Sequence, residues 1–496
     1  MNSFHVTVRA PPEILNMACS YLTTEEDAFS ASQVCRHWRG VLISSSSLWT
    51  RFPCHRLSRT IAGLGRCKSM PIQLSFNLES RLVALEKVLL HGNKITSLTI
   101  HHHLNQIPSL HRLFVSSGPF VEKLHIYCQE SSGWRPDEQK PHEIWQRLPS
   151  LRRLLVSRYS IPIDQLVAPN LVHLALDEQG YRRNVTMQSI LDALRGCPRL
   201  ETLFISNSSI GQDPTRDHSP VSLPHLSSIE LGAGEVHSGL VTHLRLPMNI
   251  AVAFRVLEKV DIYDDIPPAV IAAMQHVLGK IDIRCITLAV PLFFQDDPDL
   301  LVRFEGLQAS LEISAYTETN EELLDVLFGP RGVLFSHSPR IKDVRELHII
   351  GCPFVDDRVL DNFNAAMPSI VSISFFHCEG PNVLGPLTPT NPSSPPFPHL
   401  ERIMVLGSES GLGVMAKARR DYGVPLKSLV VGRGSGGFEY DHVEDYAALG
   451  ELVDELRTGC PAEVLEWGSE NEVLNVWSTI GIPCPVSPNG KLMITS

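Results

Sequence analysis

The chain of 496 residues has no run of about eighteen uncharged apolar residues, so no membrane-spanning helix is expected. Positive charge is in deficit: 43 Lys and Arg stand against 54 Asp and Glu. The net charge of −11 has the wrong sign for a protein held mainly by nucleic-acid phosphates. Its eleven cysteines, an odd number spread from Cys19 to Cys484, contain no C-x-x-C pair. That usage fits reduced, buried thiols of the cytosol or nucleus better than a disulfide framework. The opening MNSFHVTVRAPPEIL lacks a basic segment followed by an uninterrupted apolar one, so no secretory signal is expected. What is present is 43% hydrophobic and 20% charged residues, too apolar for intrinsic disorder. Length alone suggests about three ordinary domains.

Helical spacing dominates the first fifty residues. Pro11, Pro12 and Glu13 suit a first helical turn, where a missing N–H leaves no partner unsatisfied. Ile14, Met17, Ala18, Tyr21 and Leu22 then form one apolar stripe. Thr24 and Asp27 suit the start of a second helix as a variant capping box. A third helix is predicted to carry Val34, Cys35, Trp38, Val41 and Leu42 on one face, ending at Ser44 to Ser47 before Leu48 and Trp49. Three such short helices bury little surface, so their leftover apolar residues need a partner or the rest of the chain.

The segment PPEILNMACSYLTTEEDAFSASQVCRHWRGVLISSSSLWTRF resembles an F-box, a helical module that docks the adaptor protein Skp1. The resemblance rests on Pro11, Glu13-Ile14-Leu15, Tyr21-Leu22, Val34-Cys35, Trp38-Arg39 and Leu48-Trp49, and places the module at residues 8–55. It implies Skp1 contacts from Pro11, Ile14, Leu15, Leu22, Val34, Cys35, Trp38, Leu48 and Trp49. Trp38 and Val41 are also candidates for the module's own core. One position departs: Ala10 stands where the family usually has Leu, removing apolar contact of about 1–2 kcal/mol. On residues alone, the competing reading is a three-helix cap on whatever follows.

From residue 95 a strand-like phrase, apolar-x-x-apolar-x-apolar, recurs. Its fourth residues are Leu98, Leu124, Leu154, Leu174, Leu203, Ile229, Val260, Leu347, Ile373, Ile403 and Leu429. Successive anchors lie 20–31 residues apart, save one gap of 87 that holds a further anchor at Ile286 and an imperfect one near Leu311. An early member surrounds Leu74. The residue before each anchor is polar throughout: Ser97, Lys123, Arg153, His173, Thr202, Ser228, Lys259, Glu346, Ser372, Arg402 and Ser428. Stacked strands require such an outward column. Helical spacing such as Ile190, Leu191, Leu194 fills the intervals, and pairs such as Leu148-Pro149, Cys197-Pro198, Leu223-Pro224 and Met367-Pro368 mark turns.

Period and phrase are those of degenerate leucine-rich repeats. The expected fold is therefore α/β: a three-helix F-box, then a repeat solenoid over residues 70–440 with parallel strands on its concave face. About thirteen units spaced ~4.8 Å apart would make an arc of order 60 Å. Residues 379–398, with seven prolines, are expected to form a mobile loop outside it. Residues 441–496 are expected to supply a capping helix through Ala447, Leu449, Leu452, Val453 and Leu456, and a tail. The residues after the anchors, including Thr99, His125, Leu155, Ala175, Phe204, Glu230 and Asp261, are mixed in polarity. This column predicts a composite protein or peptide surface and no strongly charged groove.

Cofactor and metal chemistry find little support. His101 and His103 share a strand face, but stacking Leu98 on Leu124 puts Tyr127 beside His101 and His125 beside Thr99, with no Cys or carboxylate to complete a zinc site. Gly411-Leu412-Gly413-Val414-Met415-Ala416 matches G-x-G-x-x-A, yet residues intervene after the strand and the next strand ends in Gly432-Arg433 instead of an acid. Gly407-Ser408-Glu409-Ser410-Gly411 has Glu where a nucleophile elbow needs Ser. Gly432 to Gly437 lacks the lysine of a phosphate loop. The expectation is no cofactor, no metal and no catalytic set. The F-box resemblance, typical of fungal F-box proteins with degenerate repeats, implies a cytoplasmic or nuclear substrate adaptor of a ubiquitin ligase, with Skp1, a cullin and an unknown protein substrate as partners. The rivals are a repeat scaffold outside any ligase and a nucleotide-dependent enzyme using the Gly411 loop.

Overall fold

A computed structural model describes residues 10–22, 25–53, 57–77, 95–102, 120–128, 145, 148–157, 166–177, 185–206, 210–211, 219–232, 235–256, 268–289, 299–316, 328, 339–351, 357–376, 384–391, 393–406, 411–432 and 446–459. Among the described residues, no helix is long and apolar enough to cross a membrane. The chain divides into two compact units, residues 1–228 with 243–247, and residues 229–242 with 248–496.

The first unit opens with helices α1 (Pro12–Cys19), α2 (Glu25–Ala31), α3 (Arg36–Ser44) and α4 (Leu57–Arg66). A parallel ladder follows: β1 (Arg51–Pro53), β2 (Ile72–Asn77), β3 (Ile95–His102), β4 (Lys123–Cys128), β5 (Arg153–Ser157), β6 (His173–Asp177) and, after the two-residue β7 (Val185–Thr186), β8 (Thr202–Ile205). The expected anchors Leu74, Leu98, Leu124, Leu154, Leu174 and Leu203 stand in register, one opposite the next, and all are buried. The residues before them, Gln73, Ser97, Lys123, Arg153, His173 and Thr202, are in register too, and none is buried. A side-chain period of two accounts for both rows.

The Leu148-Pro149 and Cys197-Pro198 pairs open hydrogen-bonded turns, Leu151 N–H donating to Leu148 O at 3.0 Å and Leu200 N–H to Cys197 O at 3.1 Å. Proline suits the second position of such a turn because its φ is already set. Helix α5 (Met187–Arg195) buries Ile190, Leu191 and Leu194 as their spacing predicts, capped by Thr186 Oγ1, which accepts from Ser189 N–H at 3.1 Å.

The second unit departs from a simple linear array. After β9 (Ile210–Gly211), β10 (Val221–Ser222), β11 (Ser228–Gly232), α6 (Glu235–Thr242) and β12 (Leu244–Arg245), the chain's further strands include β13 (Ala251–Val256), β14 (Ile283–Ala289), β15 (Asp299–Gly306) and β16 (Ser310–Tyr316), with α7 (Pro268–Leu278) between the first two. Spatially β13 pairs in parallel with β16, β16 pairs antiparallel with β15, and β15 pairs antiparallel with β14. The interval of 87 residues is therefore not three consecutive parallel units: the chain crosses over, then fills back through a hairpin closed by Gly306 N–H on Ala309 O at 2.8 Å. Ile286 is nevertheless an anchor, opposite Leu347 on β17 (Glu346–Ile350), and Leu311 lies opposite Val252. The phrase anchored at Val260 falls outside the described residues; the strand before it instead buries Val252 and Phe254.

Regular parallel stacking then resumes through β18 (Ser372–Phe376), β19 (Arg402–Leu406), β20 (Ser428–Gly432) and β21 (Glu455–Gly459), with α8 (Asp357–Ala366) and α9 (Leu412–Asp421) among the connections. Two expectations need correcting here. The capping helix α10 (Tyr446–Leu452) stops short of Leu456, which belongs to β21 opposite Leu429. The described part of the proline-rich segment is not an outlying loop, because Leu384, Leu387 and Phe397 are buried. Arg419 on α9 holds that segment through backbone carbonyls that outnumber the N–H donors of a proline-rich stretch.

Candidate functional site

The helical module is built around Trp49. Its indole N–H donates to Leu42 O at 2.8 Å, and Phe29 meets its ring edge-on at a centroid distance of 5.0 Å. The Arg66 guanidinium lies 4.5 Å over the Trp49 ring and 5.4 Å over Phe29. Arg66 Nη1 is buried without a hydrogen-bond partner, so the aromatic faces supply its attraction. Leu15, Cys19, Val41 and Leu42 complete the core. His37 Nε2 lies 2.9 Å from Ala10 O, tying the chain entering α1 to α3.

Helix α3 starts two residues later than its apolar spacing suggests. Cys35 is its N-cap, with Sγ accepting from Trp38 N–H at 3.5 Å, and Val34 lies ahead of the helix. The cap proposed from Thr24 falls outside the described residues.

On α1 two apolar sets compete, and the buried one is Leu15 with Cys19. The stripe of Ile14 and Met17, continued by Tyr21 just beyond the end of α1, faces outward, with exposures of 50%, 58% and 80%. Val34 is 62% exposed, and Pro11 is exposed as well. Leu22, Cys35, Trp38 and Leu48 are half-buried. Leu15 and Trp49 are buried in the module's own core, so a partner reaches them only through the side chains that cover them. Met17 and Tyr21 were absent from the candidate contact residues. Their signal was legible as spacing i, i+3, i+7 from Ile14.

The expected histidine register holds: Tyr127 lies beside His101, at 5.5 Å between ring centroids, and His125 opposite Thr99. His103 lies outside the described residues. Burial, then the nearby His101, holds His125 below the usual histidine range; burial, then Arg153, does the same for His173. His125 and His173 border a 340 Å³ cavity on β3–β6 that is also lined by Lys123, Arg153, Leu155 and Ala175.

One group of side chains able to hold a metal occurs among the described residues, Cys285, Glu346 and His348, whose donor atoms lie within 4.8 Å of one another. Arg402 approaches Glu346 at 3.6 Å and competes for that carboxylate. Sequence spacing missed the group because β14 and β17 are adjacent only through the crossover. Gly411, at φ 88°, is the N-cap of α9, a left-handed conformation that glycine adopts without strain. Burial raises the Cys19 thiol and pushes Cys197 up to about 11, so neither is a thiolate at neutral pH.

Residues 11–55 match the F-box-like family model. No curated protein is similar to the chain in sequence. Among solved structures, the chain is similar to one from "Crystal structure of Rad7 and Elc1 complex in yeast", with 11% identity over 88% of this chain and 90% of that one and a TM-score of 0.30.

Proposed function

The chain carries an F-box-like domain, and from that premise we propose that it is the substrate-recognition adaptor of a Skp1–cullin–F-box ubiquitin ligase. The domain docks a Skp1-like protein, which links the chain to a cullin, and the strand-bearing remainder acts as a leucine-rich-repeat solenoid that holds a protein substrate. The chain performs no bond chemistry itself. It raises the effective concentration of substrate lysines near an activated ubiquitin carried by other subunits. Its place of action is the cytoplasm or nucleus.

The observation that carries this reading is the exposed apolar stripe of Ile14, Met17 and Tyr21 on a module whose core is already filled by Leu15, Leu42 and Trp49. Apolar side chains on a matched helix face gain most by covering against a second protein. In-register anchors with an outward polar row support the repeat reading. The test is co-elution of the purified chain with recombinant Skp1 on size exclusion. Wild type is expected to co-elute, and Ile14→Asp to run alone at an unchanged volume. Separate elution of wild type would leave a repeat scaffold outside any ligase.

A further inference from the structure

Two rows of side chains project from the open face of β3–β6. One is Ser97, Lys123, Arg153 and His173; the other, two residues further along each strand, is Thr99, His125, Leu155 and Ala175. The 340 Å³ cavity lies over both. Lys123 and Arg153 are direct cross-strand partners, a like-charge arrangement that costs stability unless an anion is supplied. Neither forms an ion pair among the described residues, although the chain as a whole carries −11. Glu201 acts on His173, at the far end of the row. His125 adds a buried Nε2 with no hydrogen-bond partner.

The corresponding row of the second unit is self-neutralised. There Arg402 pairs with Glu346 at 3.6 Å, and beside that row, not in it, a cleft of 310 Å³ is lined by two acids, Asp282 and Asp343, and two arginines, Arg284 and Arg345. The mixed column that argued against a charged groove is one of two rows, and the cations stand in the other.

We propose that the cavity on β3–β6 binds an extended acidic segment of a partner protein. An apolar side chain of that segment rests on Leu155 and Ala175, and flanking carboxylates meet Lys123 and Arg153. Same-side residues of an extended peptide are about 7 Å apart, which lets one strand of it present both kinds of group. This inference rests on the adaptor reading and names the chemical class of its substrate.

The test is fluorescence anisotropy of a labelled Ser-Glu-Glu-Leu-Glu-Glu-Ser peptide titrated with the full chain, without Skp1. Saturable binding is expected, weakening as salt rises and falling at least about tenfold in a Lys123→Glu, Arg153→Glu double variant. Lys123→Gln with Arg153→Gln should fall between, with a melting temperature no lower than that of wild type, since it removes the like-charge pairing. Ile14→Asp should bind the peptide as wild type does, so failure of Skp1 docking and failure of this site read out separately. The inference is overturned by no saturable binding, by equal binding of a peptide with Lys in place of Glu, by an unaffected double variant, or by displacement of the peptide by a single-stranded oligonucleotide at physiological salt.

Discussion

Arg419 Nη2 donates to Phe397 O at 3.0 Å, joining α9 to a segment 22 residues earlier in the chain. The same guanidinium donates to Pro396 O at 2.9 Å, Leu387 O at 3.3 Å and Leu400 O at 3.5 Å, and the side chain is 0% exposed. Among the described residues its charge meets carbonyl dipoles and no carboxylate, and burial lowers its pKa to about 10, still charged at neutral pH. Phe397 is itself held at φ 46°, with its N–H on Asn364 Oδ1 at 2.6 Å.

Arg419→Ala should therefore cost about 3–5 kcal/mol, because it strands several buried carbonyls at once. Urea unfolding gives the loss, and limited proteolysis should show new cleavage within residues 384–400. Arg419→Lys keeps the charge but not the fork of donors, and should recover only part of the stability.

Neighbouring residues on β5 should behave oppositely. Leu154 is a buried anchor whose truncation to Ala should cost about 2–5 kcal/mol. Arg153→Ala, on the exposed row, should change stability by no more than about 0.5 kcal/mol. Equal losses in denaturant midpoints would refute the assignment of the two faces.

Acid should weaken the fold through His125 and His173. Both have folded-state pKa values held down by burial, so below about 6.5 the unfolded chain takes up protons that the folded chain refuses. Stability is then full above that value and falls as pH drops through it toward the folded-state pKa values. Melting temperature should be lower at pH 5.5 than at pH 7.5, and the difference should shrink in His125→Gln.

Gly306 closes the hairpin that interrupts the parallel order. A Cβ there would lie 2.8 Å from Asp282 O and 2.9 Å from Ile281 Cγ2. Gly306→Ala should cost about 1–3 kcal/mol by overpacking, measured by thermal unfolding, whereas Leu307→Ala at the exposed turn should be near neutral.

Local periodicity made much of the architecture legible. The anchors from Leu74 to Leu203 and from Leu347 to Leu429 could be read because a strand buries alternate residues and polar side chains must fill the other face. The reversal between β13 and β17 was hidden, since alternation is blind to strand direction. Leu456 was misplaced because its spacing from Leu452 and Val453 fits a helix, while the pairing that makes it a strand comes from β20. In the module, Ile14-Met17-Tyr21 and Leu15-Cys19 both have acceptable helical spacing; packing against α3 selects the second for the core. The proline-rich segment read as mobile because its anchor, Arg419, is a charged residue that composition assigns to the surface.

The proposed docking of Skp1 on the outward face of α1 is tested most directly by calorimetric titration of the full chain with purified Skp1. Wild type should saturate at one Skp1 per chain, and Ile14→Asp should weaken binding by at least about thirtyfold with an unchanged melting temperature. No binding by wild type, or equal affinity for Ile14→Asp, would rule out docking on this face.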